Sequence, residues 1–231
     1  MNRVKPIGAL QRVVNRVFWI PILALEVTDR CNSRCVMCDI WKNADGHEPD
    51  GERVEHLILG LKKKGLRHIL VTGGEPLARQ DIFEFCDRLS RHNVQLILNT
   101  NGLQLEEYAN EVSGRFDLVI VSLDSHDRGV YKDIRGCDEF PNVVAGIKRL
   151  KEQGGRVMLS HTLQKRNVDG LTDFIAFSRS LGVDRVSLRQ GENPAGSDGR
   201  PDTGRGGYRS VHRPAREDRP GLSKGHPGWL S

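Results

Sequence analysis

Residues 68–76 read HILVTGGEP. An apolar run stops at a glycine pair, and an acid and a proline close the turn. That is the form of a buried strand releasing a loop from its carboxyl end. The same form recurs along the chain: ILALEV (22–27), VQLILNT (94–100), DLVIVSLD (117–124), RVMLSHT (156–162) and RVSLRQ (185–190) read as five more buried strands. Between them, segments near 52–64, 80–92, 104–112, 140–153 and 169–181 have helical patterning. Asp81 and Asp169 stand near helix starts, and Gly65, Gly154 and Gly182 stand where helices should stop. Repeated strand–helix alternation predicts an α/β fold with right-handed crossovers. Periodicity alone leaves an open doubly wound sheet and a partial barrel both standing.

In either architecture the loops after the strands converge on one face. TDRCN, TGGEP, NTNG and SLDSHD all follow strands, so chemistry-bearing residues spread over nearly a hundred positions are expected to meet there. The first of these loops continues as CNSRCVMC (31–38), which holds three of the five cysteines. Three thiols are one short of a closed tetrahedral zinc site and odd for a disulfide pattern. A [4Fe–4S] cluster held by three thiolates has one iron left for a small molecule.

TDRCNSRCVMC with its CxxxCxxC spacing, GGEP at 73–76, NTNG at 99–102 and SLDS at 122–125 together resemble the radical S-adenosylmethionine superfamily. The resemblance covers about residues 20–190 and implies an incomplete parallel (β/α)6 barrel, which decides against the open sheet. It implies a [4Fe–4S] cluster on Cys31, Cys35 and Cys38, with S-adenosylmethionine chelating the fourth iron. One electron then splits the cofactor into methionine and a 5′-deoxyadenosyl radical that takes hydrogen from a substrate. It also implies an electron donor of the flavodoxin or ferredoxin type.

The remaining site expectations follow from those motifs. Gly73 and Gly74 permit close backbone approach to a ligand; Glu75 or nearby carbonyls accept from the cofactor's ammonium; Pro76 stiffens the exit. Asn99, Thr100 and Asn101 are expected to donate to carboxylate or ribose. Ser122 and Asp124 point to one side of a strand end and are expected at the methionine or ribose. Arg135 is expected at the methionine carboxylate or in a surface salt bridge. His161 and Gln164 are candidates to face substrate or adenine, Met37 to shield the cluster and Trp41 to anchor in the core. Cys86 reads as a buried apolar residue and Cys137 as a loop residue without assigned chemistry.

With 37% hydrophobic residues, 28% charged residues and a net charge of +5, the composition is that of an ordinary soluble domain. The clustered cysteines argue for a reducing cytoplasm rather than a secretory compartment. The run VFWIPILALEV (17–27) follows basic residues, as in a signal peptide, but Pro21 interrupts it and it is too short to span a membrane. Residues 1–19 read as an extension leading to the first strand. Residues 191–231 hold 9 of the 25 glycines and 5 of the 10 prolines and read as a disordered or non-native tail. Its few aromatics argue against nucleic acid, and the absence of cysteine after Cys137 argues against an auxiliary cluster of the SPASM type. The substrate, peptide or small molecule, is not legible. Two alternatives remain: a truncated relic that holds the cluster without turnover, and a zinc protein using the three cysteines with His47.

Overall fold

The computed structural model describes residues 19–42 and 45–190; the expectations for the N-terminal extension and the tail lie outside the described residues. Six strands form one sheet in the order β1 (Ile22–Glu26), β2 (His68–Thr72), β3 (Gln95–Thr100), β4 (Leu118–Ser122), β5 (Val157–Leu163) and β6 (Arg185–Gln190). Every neighbouring pair is parallel. Sequential order without a reversal is barrel topology, since a doubly wound sheet reverses its strand order at a switch point. The expected partial barrel is therefore the architecture found.

The helices are α1 (Gly51–Lys62), α2 (Ile82–Ser90), α3 (Ala109–Ser113), α4 (Arg128–Arg135), α5 (Phe140–Glu152) and α6 (Leu171–Ser180), with 3₁₀ turns at Ile40–Lys42 and Pro76–Ala78. Alternate strand residues, including Ile69, Val71, Leu96, Leu98, Val119, Val121, Val157 and Leu159, are buried in one core with Ile58, Phe85, Leu89, Ile147 and Phe174. The opposite face carries Asn99 and Ser122 toward the barrel interior. β1 and β6 are less buried than expected: β1 buries only Leu25, four of the six β6 residues are exposed, and Leu188 remains 45% exposed. Both are edge strands of this sheet, so each has a neighbour on one side only.

Helix boundaries show where local signals misled. Asp81 precedes α2 but makes no capping bond; Arg79 takes its carboxylate through Nε–Oδ1 (2.6 Å) and Nη2–Oδ2 (3.0 Å). Gly170, not Asp169, directly precedes α6. The helix expected over 104–112 shrinks to α3, because 103–108 form turns instead. Gly65, Gly154 and Gly182 do terminate helices, each with positive φ. α4 was not foreseen. It begins where Asp127 accepts from Val130 N (2.8 Å) and ends at Gly136 with φ 70°, a cap and stop around eight residues of which only Val130, Tyr131 and Ile134 are apolar.

Candidate functional site

The loops after β1 to β4 are bound to one another before any ligand is considered. Gly74 N donates to Thr28 O and Glu75 N to Arg30 O, both at 2.7 Å, which lays the glycine loop along the approach to the cysteines. Cβ atoms at Gly73 and Gly74 would stand 2.3 Å from Thr28 O and 2.1 Å from Arg30 O. Glycine is required there first by the neighbouring backbone, although both residues also face the cavity described below. Arg79, 5% exposed, pins the same segment from behind by donating to Val27 O (2.9 Å) and Pro49 O (3.2 Å).

Glu75 is buried and paired within the protein. It is 1% exposed, and its carboxylate accepts from Leu77 N (3.1 Å), Thr100 Oγ1 (2.7 Å) and Asn101 N (2.6 Å). Burial raises its pKa against the pull of these donors. Its side chain is thus the clasp between the β2 and β3 loops, while the carbonyls around it stay available to an ammonium. Pro76 is buried at the start of its 3₁₀ turn. Asn101 extends the clasp by donating from Nδ2 to Asn32 Oδ1 (2.7 Å) in the cysteine loop, while Asn99 donates to Thr72 Oγ1 (3.2 Å).

These loops surround a cavity of about 200 Å³. Its wall includes Cys31, Cys35, Cys38, Gly73, Gly74, Asn99, Thr100, Asn101, Ser122 and Arg135, so ten of the thirteen expected site residues meet there. Glu75, Pro76 and Asp124 stand behind the wall. Asp124 is fully buried; its Oδ1 accepts from Thr162 N (2.7 Å) and its Oδ2 pairs with Arg135 Nη2 (2.7 Å). Arg135, 8% exposed, is therefore in a buried ion pair rather than a surface one, and its Nη1 lies 3.8 Å from Cys35 Sγ.

Cys31 and Cys35 are partly buried and Cys38 is exposed. Burial pushes the Cys31 thiol up, against a hydrogen bond from Ser33 N; it pushes Cys35 up as well, against the Arg135 guanidinium. Among the described residues no three His, Cys, Asp or Glu side chains gather closely enough to hold a single metal ion, and His47 is exposed. Three soft sulfur donors around a cavity instead suit a larger inorganic core.

Met37 and Ile40 add apolar wall beside the thiols. Trp41 is only partly buried and not in the core, with Arg34 (5.8 Å) and Lys42 (5.5 Å) beside its ring. His161 is fully buried on the helix side, 4.2 Å from the Phe174 ring, with Nδ1 3.2 Å from Leu123 O. Neither His161 nor Gln164 lines the cavity. Cys86 is buried in α2, its thiol pushed up to about 12 by burial. Cys137 packs outside the cavity, its sulfur 3.7 Å from Ser33 Oγ. Ser33, Ser160, Thr162 and Arg189 complete the wall and were missed. Alternation along β5 puts Ser160 and Thr162 on one face, a signal that could have found them; nothing local marks Arg189.

The sequence is similar to the probable GTP 3′,8-cyclase of Thermococcus kodakarensis, 33% identical over 165 residues that cover 70% of this chain and 54% of that protein. The chain thus spans about half the length of the curated relatives it matches. The fold is that of Streptococcus suis SuiB bound to S-adenosylmethionine (TM-score 0.71, 17% identity, 81% of this chain and 44% of that one). It is shared with native anSMEcpe with bound AdoMet (TM-score 0.63, 20% identity, 75% and 52%). Among the described residues, no helix is long and apolar enough to cross a membrane. Residues 25–177, two thirds of the sequence and every loop of the cysteine-lined cavity up to β5, match the Radical SAM superfamily, and the chain belongs to that family.

Proposed function

We propose that residues 20–190 form the cofactor-binding core of an enzyme that cleaves S-adenosylmethionine reductively, with Cys31, Cys35 and Cys38 holding a [4Fe–4S] cluster. The observation that carries this reading is the convergence of three thiols, the Gly73–Gly74 backbone and the Arg135 cation on one cavity. Members of the superfamily use such a cluster with S-adenosylmethionine. The donor set fits: the thiols are soft ligands, and the cost of burying two of them as thiolates calls for a compensating cation.

When bound, the cluster supplies the single electron that splits the S–C5′ bond of the cofactor. The protein's part is binding, orientation and exclusion of water. Gly73 and Gly74 let a ligand reach the backbone, while Asn99, Thr100, Asn101 and Ser122 present amide and hydroxyl groups to it. Met37 and Ile40 give the cavity an apolar edge beside the thiols, which limits water near a reactive radical. Electrons would come from a flavodoxin- or ferredoxin-like donor in a reducing cytoplasm.

The substrate we propose is GTP, named for the curated relatives at 29–33% identity. The Arg189 guanidinium and the Ser160 and Thr162 hydroxyls line the cavity without an ion pair or side-chain hydrogen bond among the described residues, which suits an anionic, hydroxyl-rich ligand. The test is anaerobic reconstitution, then dithionite and S-adenosylmethionine, with 5′-deoxyadenosine measured with and without GTP. Formation that disappears in Cys35→Ala supports the cleavage, and stimulation by GTP supports the substrate. A full cluster with no 5′-deoxyadenosine refutes turnover and favours the relic.

A further inference from the structure

Helix α4 enters the site from outside the strand–loop pattern that builds the rest of it. Val36 N donates to Ile134 O (2.9 Å), and a Cβ on Gly136 would stand 2.4 Å from Arg34 O. The cysteine loop is therefore seated on the last turn of α4. From that turn Arg135 reaches in two directions, with Nη1 3.8 Å from Cys35 Sγ and Nη2 2.7 Å from Asp124 Oδ2. Asp124 is held in turn: Oδ1 accepts from Thr162 N (2.7 Å), and its carbonyl accepts from Asn167 Nδ2 (2.9 Å). With Asp124 fully buried and Arg135 8% exposed, the cation is fixed beside the sulfur, where water screens it little.

Resting on the cluster assignment above, we infer that Arg135 is a positioning residue that sets the cluster's reduction potential, raising it by donating to the Cys35 sulfur, while Asp124 aims the guanidinium and partly offsets its charge. Reduction adds one electron, and so one negative charge, to the cluster and its thiolates. A fixed cation and donor at a ligating sulfur stabilise that more negative state, because hydrogen bonds to sulfur and local charge are among the levers on such potentials. Removing Arg135 then makes the cluster harder to reduce. Removing the charge of Asp124 leaves the cation unopposed and makes reduction easier.

The opposite signs supply the test. Wild type, Arg135→Gln, Arg135→Lys and Asp124→Asn are reconstituted anaerobically, assayed for iron and sulfide, and titrated potentiometrically with EPR detection of the reduced cluster. No S-adenosylmethionine is added, so effects on cofactor binding stay out of the measurement. At a fixed potential the reduced-to-oxidised ratio should fall about tenfold in Arg135→Gln, a shift of about 59 mV for one electron. It should rise in Asp124→Asn and stay near wild type in Arg135→Lys, which keeps the charge. Asp124→Asn retains an oxygen to accept from Thr162 N, so it decides the matter even if Arg135→Gln fails to take up iron. Full clusters with unchanged potentials overturn the inference, as do shifts of the same sign in Arg135→Gln and Asp124→Asn, the mark of a merely structural role. A wild-type protein that takes up no iron and sulfide overturns the cluster assignment itself.

Discussion

Gly74→Ala tests whether the glycine pair serves the protein's own backbone before it serves a ligand. A Cβ there would lie 2.1 Å from Arg30 O, 2.6 Å from Arg30 C and 2.7 Å from Asp29 O. The loops must part by about 1 Å to reach even a tight contact, and close-packed backbone does not yield that at no cost. Such a displacement breaks the bonds from Gly74 N to Thr28 O and from Glu75 N to Arg30 O, both 2.7 Å long. At about 1 kcal/mol net for each bond, and more where a buried donor loses its partner, the loss is about 2–4 kcal/mol. With a urea dependence of about 2 kcal/mol/M the unfolding midpoint falls by about 1–2 M. Because Thr28–Arg30 leads directly into Cys31, iron bound per chain should fall with it. Urea unfolding followed by circular dichroism and iron assay on the reconstituted protein measure both. Gly154→Ala is the control: φ is 77° but nothing lies within 4 Å of the added Cβ, so it bears only a left-handed backbone cost of about 1–2 kcal/mol and keeps its iron. A Gly74→Ala protein with wild-type midpoint and full iron would refute the packing argument.

Gly60 lies exposed within α1 with nothing within 4 Å of an added Cβ, so Gly60→Ala should raise stability by about 0.5–1 kcal/mol, read as a higher urea midpoint. Arg79→Lys keeps the charge but loses the fork that holds Asp81, Val27 O and Pro49 O, and the same assay should report a loss of about 2 kcal/mol. Burial holds the His161 imidazole below its ordinary value, with Asp124 pulling weakly the other way. The unfolded chain therefore takes up that proton first, so stability present above about pH 6.5 is lost as pH falls from there toward the depressed folded value. His161→Leu should flatten this part of the midpoint-against-pH curve, and an unchanged slope would count against the assignment.

The architecture was legible because its signals are local: six apolar runs, glycines at helix ends and polar clusters after strands can each be read within about ten residues. The gathering of ten expected site residues on one cavity followed from topology, since parallel order sends every such loop to one face. What failed to show in the sequence depends on distant partners. That Glu75 joins two loops did not show, because Thr100 and Asn101, which hold its oxygens, lie 25 and 26 residues away. Arg135 meets Cys35 across 100 residues, on an eight-residue helix whose apolar residues are only Val130, Tyr131 and Ile134. Trp41 looked like a core residue by type alone, yet it is only partly buried, with Arg34 and Lys42 beside its ring.

The two sides of the cavity differ in how tightly they are determined. On the thiol side, Glu75 joins the β2 and β3 loops, Asn101 reaches Asn32, the glycine loop hydrogen-bonds the approach to Cys31, and α4 supports the cysteine loop from below. Removing one of these leaves the others to hold the cysteines, so single substitutions there should move cluster content by degrees. On the other side, β6 is an exposed edge strand, and the side chains of Ser160, Thr162 and Arg189 are tied to nothing among the described residues. A group held by three thiols gains from a prebuilt cradle, because any looseness would be repaid in ordering entropy at each binding event. A wall of unpaired donors has its hydrogen bonds still to make, and a ligand can supply the acceptors. The division predicts that changes on β5 and β6 alter what binds while leaving the cluster intact, and that changes to the clasps between the β1, β2 and β3 loops lower cluster content. Ser160→Ala and Thr162→Val proteins with full iron but weakened ligand binding would bear that out, whereas loss of iron in either would show that the two sides are one unit.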